Sequence, residues 1–121
     1  MDKRRELMLK MENLDDTFYR KKRQLEESMD EATQAKWQFN RELEHLSEQV
    51  RYIYQKREYG DSRDFEKAYH LISSIQDETE WDVKNVLRKL EDEHEEQHAI
   101  YKKQSFSYEE ELHQIKKESD R

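Results

Sequence analysis

The sequence predicts an all-α protein, an antiparallel two-helix hairpin of coiled-coil-like character with a single turn near Gly60. Three observations predict it. The 121 residues contain no Pro and one Gly, and that Gly stands almost at the midpoint. Glu, Lys, Gln and Leu are abundant, and these side chains lose little rotamer freedom in a helix. On each side of Gly60 the apolar residues recur at alternating steps of four and three, the heptad spacing of a helix-packing seam.

Helix 1 is expected over residues 3–58. Its seam reads Leu7, Met11, Leu14, Phe18, Lys21, Leu25, Ser28, Ala32, Ala35, Phe39, Leu43, Leu46, Val50, Ile53. Lys56 and Arg57 suit the negative end of that helix. The turn is expected at residues 59–61, where Gly60 takes a positive φ without a Cβ clash. Asp61 or Ser62 then caps helix 2, expected over residues 62–117, with Asp64 in its first turn. The second seam runs Phe65, Ala68, Ile72, Ile75, Thr79, Val83, Val86, Leu90, His94, Gln97, Tyr101, Tyr108, Leu112, Ile115.

A turn at Gly60 places residue i opposite about 120 − i. Two successive four-residue steps, a stutter, occur at 35–43 in the first seam and at 75–83 in the second. The register brings these two stutters to one level, which supports the hairpin. It also brings the basic run YRKKR at 19–23 close to the acidic run EDEHEE at 91–96.

Charged residues make up 44% of the chain and hydrophobic ones 32%. The core is therefore expected to be thin, and a dimer or a helical partner would complete it. A net charge of −7 excludes a general nucleic-acid binder, since neutralising phosphates needs a basic surface. No apolar run approaches the ~18 residues of a membrane span. The charged start MDKRRELMLK has no apolar region of signal-peptide type, so the expected location is the cytoplasm, or secretion without a signal peptide. The absence of Cys excludes disulfides and thiolate chemistry.

Residues 94–98 spell HEEQH, the H-E-x-x-H pattern in which two His one turn apart bind zinc and the Glu acts as base. Here the ligands would be His94 and His98, and the base Glu95. The rest of such a site is missing. Tyr101 stands where an extended motif needs Gly, and Gln104 where it needs a third His. A lone helix pair also supplies no cleft. The motif is read as structural, with His94 and Gln97 forming a polar layer of the seam. No Gly-rich phosphate loop and no nucleophile with a base and an oxyanion hole can be assembled. The sequence thus predicts no enzyme, no catalytic residues, no metal and no cofactor.

Partner-binding candidates come from aromatic placement. Trp37 and Trp81 each lie two residues from seam positions, about 200° around the helix, and at nearly one level of the hairpin. Large aromatics on an outer face favour a partner surface. Tyr52, Tyr54, Tyr59 and Tyr69 gather near the turn, as local packing or as a contact tip.

In length, layout and composition the chain resembles the small helical hairpins of bacterial type VII secretion, the WXG-type proteins. It departs from them at the turn, where REYGDSRDF holds no W-x-G. It is more similar to the small WXG-like accessory proteins associated with LXG toxins of Gram-positive bacteria. That resemblance implies a targeting factor for the helical domain of an LXG-type toxin, acting with or without a second small helical protein. It also implies an export signal of the Y-x-x-x-[DE] or F-x-x-x-[DE] kind, which Tyr54–Glu58 and, nearer the end of helix 2, Phe106–Glu110 match. The alternative is a self-associating coiled-coil spacer, a homodimer, or a type III export-stalk-like protein.

Overall fold

The computed structural model describes residues 2–56 and 62–120. They form two helices, α1 Asp2–Lys56 and α2 Ser62–Ser119, packed against each other. The turn expected at residues 59–61, with Tyr59, Gly60 and Asp61, lies outside the described residues, as do Arg57, Glu58 and the Ser62 side chain. Charges suit the helix ends: Asp2 and Asp64 stand in first turns, and Lys56, Lys116 and Lys117 in last turns. Beyond α2, the Asp120 N–H bonds the Lys116 carbonyl at 3.1 Å, and the Ser119 hydroxyl donates to the same carbonyl.

Contacts divide the chain into two units. One joins Met1–Ser28 with Lys89–Arg121, and the other is Met29–Arg88. In the first unit Phe18 stacks on Tyr101. In the second, Tyr54 stacks on Phe65 and Arg51 bonds Tyr69. In each of these pairs the residue numbers add to 119 or 120. Both units are therefore antiparallel, in the register that the sequence predicts.

The core is thin. Among the described residues, Leu7, Phe18 and Leu25 are buried in the first unit, and Leu43 and Ile72 in the second. None of the large side chains among the described residues is completely shut off from solvent.

The α1 seam differs from the expected one at alternate places. Lys21, Ser28, Ala35, Leu46 and Ile53 are exposed. Their successors Lys22, Met29, Lys36, Ser47 and Tyr54 are half-buried instead. In heptad terms, with Phe18, Leu25 and Ala32 at a and, beyond the stutter, Leu43 and Val50 at a, α2 lies over a and e and d faces outward, whereas before Phe18 the d residues Leu7 and Leu14 are covered. The expectation followed strict four–three steps, taking Lys21 and Ser28 where Lys22 and Met29 are covered, and so assumed a 3.5-residue period. An unsupercoiled helix turns every ~3.6 residues and drifts away from it. On α2 the expected positions hold, except that Val86 is exposed and Leu87 is half-buried. Where the stutters were expected, the interface takes adjacent residues from each helix, Phe39 with Asn40 and Ile75 with Gln76.

Candidate functional site

In the second unit, Trp37 is 68% exposed and Trp81 67%. Trp81 lies two residues from the half-buried Thr79 and Val83, and so points outward. Trp37 follows the half-buried Lys36 by one residue, which sets it on the flank of α1. It borders a shallow groove with Thr33, Gln34, Gln38 and Arg41. The interior at this level is mixed. Lys36, Asn40 and Thr79 share it with Phe39 and Val83, and the buried Asn40 Oδ1 has no hydrogen-bond partner. Here the hairpin admits polar groups inside while two large indoles stand outside.

The aromatics nearer the turn divide by role. Tyr54 stacks on Phe65 with centroids 4.3 Å apart, and Phe65 meets Tyr69 edge-on at 4.5 Å. Arg51 Nε donates to the Tyr69 hydroxyl at 3.3 Å. Tyr54 and Tyr69 thus bind the two helices together. Tyr52 is exposed, with the Lys56 ammonium 5.6 Å from its ring centroid, an arrangement that favours the cation over the π face.

In the first unit, the HEEQH residues turn to packing. His94 and Gln97 are half-buried on the seam, and Glu95 and Glu96 are exposed. His98 brings its ring to 5.8 Å from Phe18. Among the described residues no three His, Cys, Asp or Glu side chains converge as metal ligands. The Phe18 ring also lies 4.1 Å from Tyr101, nearly parallel, and 5.4 Å from Tyr19, edge-on. The Tyr101 hydroxyl donates to Asp15 Oδ1 at 2.6 Å. That hydrogen bond, then burial, then the Asp15 charge push the Tyr101 phenol up to about 12. Sequence reasoning placed Tyr101 on the seam but missed Asp15. The available signal was a carboxylate one turn before Phe18, near Tyr101 in the antiparallel register.

Phe106 is exposed, and Glu110, one turn later, borders a groove with Lys3 and His113. The Glu58 of the other export-type pattern lies outside the described residues. None of the described helices is long and apolar enough to cross a membrane.

The described surface is therefore one of exposed aromatics over a sparse interior, an arrangement suited to holding another chain. Comparison with protein-family models, curated proteins and solved structures gave no match.

Proposed function

We propose that this chain is a non-enzymatic helical binding partner, a targeting factor that lays its exposed aromatic surface against the helices of a larger protein. One observation carries the reading: Trp37 and Trp81 stand exposed at one level of a unit in which, among the described residues, Leu43 and Ile72 alone are buried. Indoles of this size are frequent anchors when a partner desolvates them. A sparse core also gains most from helices supplied by another chain. The resemblance to LXG-associated accessory proteins supplies the partner class, the helical domain of an LXG-type toxin exported by type VII secretion. In that setting Phe106 and Glu110 form the export signal of the assembled complex.

Co-expression with the helical domain of any LXG-type toxin encoded in the neighbourhood of this chain's gene tests the proposal. Co-purification is expected, with Trp37→Ala and Trp81→Ala each weakening the complex at least ~10-fold. A chain that ignores that neighbour and runs alone as a stable symmetric dimer would instead be a self-associating spacer.

A further inference from the structure

The second unit presents a further apolar surface, distinct from its tryptophans. On α1, Leu46 is 44% exposed and Ile53 54%. On α2, Leu71 is 63% exposed and Val86 47%. Helix phase places all four on one broad face. Each residue advances about 100°, so Leu46 and Ile53 fall on one side of Val50 and Arg51 on the other. On α2, Leu71 and Ile75 fall on one side of Ile72 and Tyr69 on the other. The Arg51–Tyr69 hydrogen bond fixes those two side chains to one face of the hairpin. Leu46, Ile53 and Leu71 therefore share the opposite face. They are close in level too, because Leu46 and Ile53 lie opposite about residues 74 and 67 in the observed register. Val86 continues the stripe away from the turn.

This face is the outward d row of α1 beyond the stutter, where Leu43 and Val50 stand at a and Leu46 and Ile53 at d, and where α2 covers the a row with Ser47 and Tyr54 at e. An apolar d row beside a covered a row suits a helix packed on two sides, as in a bundle. The carboxylates on the face come from both helices. Glu42 precedes Leu46 by one turn, Glu78 follows Leu71 by two, and Asp82 precedes Val86 by one; all three are exposed. The lysines Lys56 and Lys67 stand toward the turn.

We infer that the Leu46–Ile53–Leu71 face receives an amphipathic helix whose apolar stripe is flanked by Lys or Arg. The charge argues for such a helix over a second copy of this chain. A parallel isologous pairing would bring two sets of Glu42, Glu78 and Asp82 to one contact, and an antiparallel one would set two lysines, Lys56 and Lys67, against three carboxylates, within a chain of net charge −7. A basic-flanked helix would meet those carboxylates as its apolar residues cover the leucines and isoleucine. The inference rests on the reading of the chain as a helical binding partner, and names the face and the chemistry of what it binds.

Two synthetic amphipathic peptides test it. They share one apolar heptad stripe and carry either Lys and Arg or Glu at the flanks. Fluorescence anisotropy with the full chain is expected to show the basic-flanked peptide binding at least ~10-fold more tightly than the acidic one, with the preference shrinking at high salt. The triple variant Leu46→Gln, Ile53→Gln, Leu71→Gln changes exposed positions only, so its circular dichroism should match the parent. It should lose the peptide, whereas Trp37→Ala retains it. The variant Glu42→Lys, Glu78→Lys, Asp82→Lys should invert the preference.

Equal binding of both peptides, or binding that survives the triple Gln variant, overturns the inference. So does a parent dimer by light scattering that the triple variant dissolves, which would make a second copy the occupant. Co-purification with the toxin's helical domain separates the two failures. If that complex survives the triple variant, this face is wrong and the function stands. If the parent never forms the complex, the function is wrong whatever the peptides do.

Discussion

At Tyr101 a phenol, a carboxylate and an aromatic ring meet across the two helices. The folded pKa of about 12 lies above the ordinary value of 10.0, so the folded chain holds this proton more tightly than the unfolded one. The contribution to stability is complete below pH 10 and is lost as pH rises through 12. Absorbance at 295 nm should show one tyrosine titrating last, and Asp15→Asn should return it toward the usual range. A late step that persists in Asp15→Asn would assign it to another cause. Asn40 makes the opposite case. Its buried Oδ1 lacks a partner, so Asn40→Leu should stabilise the chain by about 1 kcal/mol, raising Tm by a few degrees. A lower Tm would mean that Asn40 finds a partner in solution.

At the level of the helices, both elements and their pairing were legible in the sequence. A chain without Pro and with one central Gly leaves little choice but two long helices, and the short link between them selects antiparallel packing. The choice between d and e on α1 was not legible. Leu46 is more apolar than Ser47, and only the position of α2 decides that Ser47 is covered and Leu46 is not. The same limit hid the outward stripe, because a residue assigned to the seam is not examined as surface. The exposure of both tryptophans was legible, but Trp37 stands on the flank beside Lys36 and not opposite the seam, because Ala35 is exposed. The polar layer at His94 and Gln97 was legible as well, and both side chains are half-buried there. Replacing both by Leu should raise stability by about 1 kcal/mol in total, read as a higher urea midpoint with unchanged slope. If this layer is instead held by a specific polar contact, the midpoint should fall.

Across the whole chain, stability should follow the buried side chains. Leu7, Phe18 and Leu25 anchor one unit, and Leu43 and Ile72 the other. Between Leu25 and Leu43, α1 has no buried side chain, and the facing residues 77–95 of α2 hold half-buried side chains but no buried one. Local opening costs least where few apolar contacts must be broken. Amide exchange read by mass spectrometry should therefore be faster over residues 30–38 and 77–85 than over residues 10–25 and 43–50. The contrast should be at least ~10-fold, since one fewer packed leucine lowers the cost of opening by more than ~1.4 kcal/mol. Uniform protection along both helices would show that backbone helicity alone sets the opening energy. The fast stretches are also those that carry Trp37 and Trp81. A ligand that binds only the folded form adds RT ln(1 + [L]/Kd), about 2.7 kcal/mol at a hundredfold excess over Kd. Protection gained on adding the helical partner should then be largest over residues 30–38 and 77–85, where the free chain opens most readily.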